Sequence, residues 1–323
     1  MKFSLVLITY NNEKHIIRGL ESIQSQNISG WECILVDNGS TDNTLAIARD
    51  FTSGDARFRC FGKSNEGPSR GRNYGYQYIS KETSYVAFID GDDWLKDNFL
   101  DFMGGYLDAH PHIGMVTCQF EMADAGGNSL GLGFRSRYIP NFFTFPRQMK
   151  PHEVKTPFVT FFSVTGQGPF ALFRRSIYDQ TTGYEASFHS HEDSDIFCQM
   201  SLLSEVHCLP DALYVKRIHS SNLTRSGNTN PYAQSCYDKF RNKWDNIVFE
   251  DKKKQQEVIE ARRYYYTRHA PLRHFKVLSY AIVDFLKKPA ISKFPWMWKL
   301  FSSGISDTLF GYKKVKTQGV SLK

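Results

Sequence analysis

Long apolar runs are missing from this 323-residue chain. No stretch approaches the roughly 18–20 consecutive apolar residues of a membrane-spanning helix, so a helical integral-membrane protein is not expected. A secretory leader is not expected either. The opening Met1-Lys2-Phe3-Ser4-Leu5-Val6-Leu7-Ile8 has too short an apolar core, and polar Thr9-Tyr10-Asn11-Asn12 follows with no small-residue cleavage site. The stretch reads as a first strand, and the expected location is the cytoplasm. Cysteine is sparse. The six residues (Cys33, Cys60, Cys118, Cys198, Cys208, Cys236) form no C-x-x-C pair and read as free thiols in a reducing compartment. Two nucleotide signatures are absent as well. No G-x-G-x-x-G follows a strand and no G-x-x-x-x-G-K-[ST] occurs, which disfavours a dinucleotide-binding dehydrogenase or a P-loop enzyme. There is no internal repeat and no low-complexity segment.

What is present is an ordinary globular composition, 41% hydrophobic and 23% charged, in a chain long enough for one large α/β domain with an appendage or for two domains. The net charge of +7 is unevenly spread. From Asp251 to Lys323 there are 16 Lys and Arg against 5 Asp and Glu, leaving 24 basic and 28 acidic side chains for the rest. An acidic-to-neutral body therefore carries a basic tail, and that tail is also aromatic (Phe294, Trp296, Trp298). It suits helices docked on the body or contact with an anionic membrane surface. Single-stranded nucleic acid also favours such a mixture, but no nucleic-acid motif accompanies it, and a nucleic-acid partner is not expected.

The first hundred residues alternate between strand and helix signals. "FSLVLITY" is a buried-strand run, and "EKHIIRGLESIQSQ" places Ile16, Leu20 and Ile23 at helical spacing. "WECILVDN" is a second strand; "STDNTLAIARDF" starts a helix with Ser40 or Thr41 as N-cap. "FRCFGK", a glycine-punctuated helix in "EGPSRGRNYGYQYIS", and the strand "SYVAFID" follow. Such alternation implies βαβ units and a mostly parallel sheet covered on both faces. Ligands of such sheets sit beyond the carboxyl ends of the strands, and Asp37 and Asp90 close two of them. Further on, "IGMVTCQFEMADAGGNSLG" reads as a strand, a turn and a return. The aromatic, proline-rich stretch before "GQGPF" reads as a pocket wall. "HEDSDIFCQMSLLSEV" reads as a helix with Ile196, Met200 and Leu203 on one face, and "HCLPDALYVKRIHSSNLT" as another strand.

The sharpest local feature is Asp90-Gly91-Asp92-Asp93 at the end of a strand. Crowded carboxylates repel. A divalent, oxygen-loving ion such as Mg²⁺ or Mn²⁺ relieves that repulsion, commonly using one or two carboxylates plus ligand phosphates. The same residues also suit a solvated acidic turn in which Asp92 or Asp93 caps a helix starting at Trp94-Leu95.

Taken together, "SLVLITYNNEKHIIRGLESIQSQ", "ILVDNGSTDNT", "NEGPSRGRNYG" and "AFIDGDDW", in that order and spacing, resemble family 2 glycosyltransferases of the GT-A fold, of the bacterial surface-polysaccharide type. The likeness continues more loosely through "HEDSDIFCQMSL" and "KRIHSSNLT" to about Thr224. It implies a GT-A catalytic domain over 1–225, Rossmann-like with a mostly parallel central sheet. Residues 1–110 would be its nucleotide-binding half, 111–225 its acceptor-binding half, and 226–323 a mainly helical basic extension. Thr9 and Tyr10 would cradle the nucleotide. Asp37-Asn38 would read the base, with asparagine where many members carry a second aspartate, and Arg72 would lie near the nucleotide. Asp90 would contact the ribose or orient the site, and Asp92 would ligate Mn²⁺ or Mg²⁺, with Asp93 a further ligand or a support behind it and His219 completing the metal set near the metal or diphosphate. Gly166–Phe170 would line the sugar pocket.

The resemblance also implies a general base in "SHEDSD". Asp193 is the expected base and Glu192 the residue orienting it or the acceptor, although acids at a helix start also serve as caps. The implied activity is metal-dependent, inverting transfer of a sugar from a nucleotide-sugar donor, a UDP-sugar first, to a glycan or lipid-linked glycan hydroxyl. The rivals are a nucleotidyltransferase of similar layout and a catalytically silent nucleotide- or glycan-binding module. A lipid-linked acceptor would bring the protein to the inner face of the membrane through 251–323.

Overall fold

The computed structural model describes residues 2–132, 170–220, 222, 233–245, 252 and 256. In chain order the elements are β1 (Phe3–Thr9), α1 (Ile16–Gln24), β2 (Trp31–Asp37), α2 (Thr44–Thr52), β3 (Phe58–Gly62), α3 (Pro68–Tyr76), β4 (Tyr85–Asp90), β5 (Trp94–Leu95), α4 (Phe99–Ala109), β6 (Ile113–Ala123), β7 (Ser129–Leu132), β8 (Ala171–Arg174), the short α5 (Arg175–Tyr178), α6 (Glu192–Leu203), β9 (Glu205–Arg217) and α7 (Ala233–Asp245). The strands form one sheet in the order β3-β2-β1-β4-β8-β6-β9-β5, with β7 on β6.

Period-two alternation explains why the central strands are buried from end to end. On β1, Phe3, Leu5 and Leu7 enter one apolar cluster while Val6 and Ile8 enter another on the opposite face. Strand β2 divides the same way, Trp31, Cys33 and Leu35 against Ile34 and Val36. Helices α1 and α4 cover the first face through Ile16, Leu20, Ile23, Phe99 and Met103. Helix α6 covers the second through Ile196, Phe197 and Met200. Leu203, expected on that buried face, is instead 41% exposed. It is the last helical residue, and the chain turns extended at Ser204.

The run β3-β2-β1-β4 is parallel, as expected. Strand β8 then enters antiparallel to both β4 and β6, while β6 and β9 pair in parallel. The connections leave β1 toward β2 on one side and β4 on the other, so a topological switch point lies between β1 and β4. Register brings Thr9 level with Asp37, and Ile8 level with Asp90. Two glycines permit this closeness. A Cβ on Gly91 would come within 2.7 Å of the Thr9 side chain, and one on Gly75 would meet Val6 at 2.5 Å, so α3 lies flat on β1 and β2 only because of Gly75.

Two local expectations are corrected. Ser40 and Thr41 do not cap α2, which starts later, at Thr44. The Ser40 amide and hydroxyl donate to Asp37, and the Thr41 amide donates to Asn11 Oδ1 at 2.8 Å. Nor do Asp92 and Asp93 cap a helix at Trp94-Leu95. That dipeptide is strand β5, paired with Val215 and Tyr214 of β9, and α4 begins only at Phe99. No described helix is long and apolar enough to cross a membrane. Gly166–Pro169, and 251–323 except residues 252 and 256, lie outside the described residues, and with them the expected pocket wall and membrane-facing tail.

Candidate active site

The carboxyl ends of β1, β2 and β4 open onto one rim. Asp37, 2% exposed, has its carboxylate held by the Ser40 backbone and side chain. The Asn38 amide N–H donates to the Thr9 carbonyl (2.8 Å), locking the two strand ends together. Its side-chain NH₂ donates to Asn65 Oδ1 (3.2 Å) and to the Gly67 carbonyl (3.1 Å), so this asparagine organises the 63–67 loop. Thr9 is buried and accepts from Asn12, whereas Tyr10 is 46% exposed at the mouth.

On the turn after β4, Asp90, Asp92 and Asp93 each offer a carboxylate oxygen, all within 4.8 Å of one another. This convergence suits a hard divalent cation in its donor chemistry. The three differ in surroundings. Asp92 Oδ2 meets His219 Nε2 at 2.9 Å and accepts from Asn222 Nδ2 at 3.0 Å. Burial works to raise the Asp92 pKa, but the hydrogen bond and charge of His219 hold it below the usual carboxylate value. Asp93 is 2% exposed and accepts from the Tyr214 hydroxyl (2.9 Å) and the Arg217 amide (2.8 Å). Burial, then the neighbouring Asp92 and Asp90, push its pKa well up. Burial also raises Asp90, against the pull of Arg72.

Arg72 joins this turn to the distant acidic helix start. Its guanidinium, 2% exposed, donates to Asp90 Oδ1 (2.8 Å) and to Glu192 Oε1 (3.0 Å), lies 3.9 Å from Asp193 Oδ1, and sits 5.0 Å from the Tyr184 ring centre. Burial disfavours its charge, but Asp193, Asp90 and Glu192 together hold its pKa well above the ordinary value. Asp193 Oδ1 is buried with no hydrogen-bond partner among the described residues. Burial pushes the Asp193 pKa up to about 7, with Arg72 opposing. A carboxylate with its pKa raised near 7, and one oxygen that accepts no hydrogen bond among the described residues, is chemically able to take a proton.

The structure thus gathers Thr9, Asp37, Asn38, Arg72, Asp90, Asp92, Asp93, Glu192, Asp193 and His219 around the switch-point rim, with Tyr10 at its edge. Several partners carry no local sequence signal. Tyr214, Lys216 and Arg217 reach the aspartates only because β9 pairs with β5. Lys216 draws on Asp90, Asp92, Asp93 and Asp193 alike. "YVKR", as an alternating strand carrying two cations, was the one available hint. Tyr184 and Asp195 were likewise not singled out.

Comparison with known proteins supports the same assignment. The family model described as Glycosyl transferase family 2 matches residues 4–182. EpsJ of Bacillus subtilis (strain 168), named an uncharacterized glycosyltransferase, is 36% identical over 232 residues, which is 68% of this chain and 62% of EpsJ. EpsH of the same organism is 28% identical over 231 residues, 69% of this chain and 62% of EpsH. The chain therefore spans under two thirds of the length of these curated relatives. Among solved structures, S. aureus TarS 1–349 in complex with UDP-GlcNAc superposes with a TM-score of 0.64 at 20% identity, covering 100% of this chain and 93% of TarS 1–349. The mannosyltransferase PcManGT from Pyrobaculum calidifontis, in complex with GDP-Man and Mn²⁺, gives 0.60 at 14% identity, covering 98% and 84%. These likenesses establish the GT-A fold. With four motifs brought to one rim and a family match over more than half its length, the chain belongs to glycosyl transferase family 2.

Proposed function

We propose that this protein transfers a sugar from a nucleotide-sugar donor, a UDP-sugar first, to a hydroxyl of a glycan or lipid-linked glycan during surface-polysaccharide assembly. The transfer inverts the anomeric carbon and depends on a divalent cation. The observation that carries this reading is the Arg72 bridge, which ties Asp90 on the donor rim to Glu192, with an Asp193 oxygen 3.9 Å from the same guanidinium that accepts no hydrogen bond among the described residues. The donor classes held by TarS and PcManGT, and a relative named the minor teichoic acid biosynthesis protein GgaA, support the choice of substrates.

In this reading Asp193 accepts the proton of the acceptor hydroxyl as its oxygen bonds to the anomeric carbon. The bond to the nucleoside diphosphate breaks on the opposite face, so inversion follows from one displacement. Glu192, fixed by Arg72, orients the base. Thr9, Tyr10 and Asp37 line the nucleotide side, Asn38 keeps the 63–67 loop in place, and Lys216 adds positive charge facing the diphosphate. Asp92 is the proposed ligand for Mn²⁺ or Mg²⁺, with Asp90 and Asp93 completing the acidic set and His219 aligning Asp92. When bound, the ion offsets charge on the leaving diphosphate. The basic stretch 251–323 suits approach to an anionic membrane carrying a lipid-linked acceptor.

The test is nucleoside diphosphate release from a panel of nucleotide sugars with Mn²⁺ or Mg²⁺ and with EDTA, alongside thermal shifts with free diphosphates. Release from one donor that EDTA abolishes is expected. Neither binding nor release by folded protein, with acceptor extracts supplied, would refute the proposal.

A further inference from the structure

Beyond the residues that face the rim, one buried carboxylate in the first turn of α6 has no place in the chemistry above. Asp195 is 0% exposed. Its partners come from its own helix and from α7, about fifty residues along the chain. Gln199 Nε2 donates at 2.8 Å, Lys243 Nζ lies 2.7 Å from Oδ1, and the Trp244 indole N–H donates to Oδ1 at 2.8 Å. Asp195 lies two positions after Asp193, so the two side chains leave the helix about 200° apart around its axis. Asp193 is turned to the rim and Asp195 away from it, toward α7. The Asp195 amide also closes the first turn by donating to the His191 carbonyl at 3.0 Å.

Helix α7 grips the approach to α6 as well. Phe240 stacks on His191 with ring centres 5.9 Å apart and meets Phe188 edge-on at 6.5 Å, and Lys243 lies 6.0 Å from the Phe188 ring. Phe188 is tied in turn to the donor half, its carbonyl accepting from Ser69 Oγ at 2.7 Å. His191 holds a left-handed backbone (φ 67°), a conformation that a non-glycine residue keeps only when its surroundings enforce it. Electrostatics adds a second reason for the contact. Glu192, Asp193 and Asp195 place three acids in one turn, more than the helix dipole favours by itself. Lys243 compensates Asp195 from behind, so Arg72 remains the counter-charge for Glu192 and Asp193.

We infer that α7 is the brace of the proposed catalytic base: Lys243 and Trp244 hold Asp195, Phe240 holds the 188–191 approach, and together they set the pose of Glu192 and Asp193 against Arg72. Asp195, Lys243 and Trp244 are positioning residues. The inference rests on the assignment of Asp193 as base, and α7 lies outside the residues matched by the family model.

The experiment compares full-length wild type with Lys243→Met, Lys243→Arg and Trp244→Phe by hydrogen–deuterium exchange and by steady-state donor turnover, after thermal melts establish folding. Faster exchange over 188–195 is expected in Lys243→Met, with β1 and β2 unchanged. The expected kcat loss is about ten- to hundredfold at nearly constant donor KM, since displacing a catalytic group by an ångström has that order of effect. Lys243→Arg, which restores the cation, should recover most of the rate. Trp244→Phe, which keeps the ring and removes the N–H, should lose less. Unchanged exchange over 188–195 in Lys243→Met overturns the brace, as does an equal loss in Lys243→Met and Lys243→Arg. If wild type releases no nucleotide, the transferase reading fails by itself, and the exchange comparison still decides whether α7 holds the 188–195 turn.

Discussion

The two acidic clusters make an instructive pair. Asp90-Gly91-Asp92-Asp93 follows a parallel strand; Glu192-Asp193-Ser194-Asp195 opens a helix. Each also holds one acid buried almost completely, Asp93 at 2% and Asp195 at 0% exposed. The buried members are satisfied in opposite ways. Asp93 takes neutral donors, the Tyr214 hydroxyl and a backbone amide, and its acidity is suppressed. Asp195 takes a cation, Lys243, together with an indole N–H. Each cluster is thus pinned by an anchor from later in the chain, and one Arg72 guanidinium bonds one acid of each, Asp90 and Glu192. An acid beside strand ends already crowded with carboxylates is cheaper to keep protonated, whereas the one at the helix flank meets a lysine ammonium directly.

The largest test of this division is Asp193→Asn, which retains shape and removes the proposed base. A kcat loss of about 10²- to 10⁴-fold is expected with nucleotide binding intact, measured by single-turnover release and UDP titration. Full turnover in this variant would dissolve the distinction between working and anchoring acids.

Next in size is the pH response. Asp193 has its folded pKa raised to about 7 from the model-compound 3.8. Turnover should therefore climb about tenfold per unit up to near pH 7 and then level. Stability should move oppositely. Between about pH 4 and 7 the folded state binds a proton that the unfolded chain releases, so this group's contribution is full below pH 4 and is lost as pH rises through 7. Asp90 and Asp93, also raised, push stability the same way; Asp92, lowered, pushes it the other way, its contribution being lost as pH falls. Asp193→Asn should flatten the kcat profile and remove this group's share of the stability slope, read from kcat profiles and urea midpoints.

The smallest effect compares the anchors directly. Asp93→Asn can still accept from the Arg217 amide and face Tyr214, and should cost under about 1 kcal/mol of stability. Asp195→Asn leaves Lys243 without its buried counter-charge and should cost about 1–3 kcal/mol. Equal costs in chemical denaturation would mean the two anchors are held alike.

Much of the donor half was legible because its signals are local. Phe3-Leu5-Leu7 against Val6-Ile8 on β1, and Ile16-Leu20-Ile23 on α1, declare their faces within a few residues. Trp94-Leu95 also fits a helix start by local signals, because nothing nearby shows that β9, more than a hundred residues on, pairs with it. Ser40 fits a cap by composition, yet Asp37 competes for it and wins.

The sequence alone determined that this chain builds strand–helix units, that carboxylates cluster where strands end, and that "HEDSD" places acids at a helix start, since period and composition act between near neighbours. Only the tertiary structure decided what surrounds each acid. Asp90, Asp92 and Asp93 are chemically alike in the sequence, as are Asp193 and Asp195. Their surroundings and availability depend on Arg72, Tyr214, His219 and Lys243, partners from distant parts of the chain that reach them only once the sheet has formed and α7 has docked, because burial and charge act through space rather than along the chain.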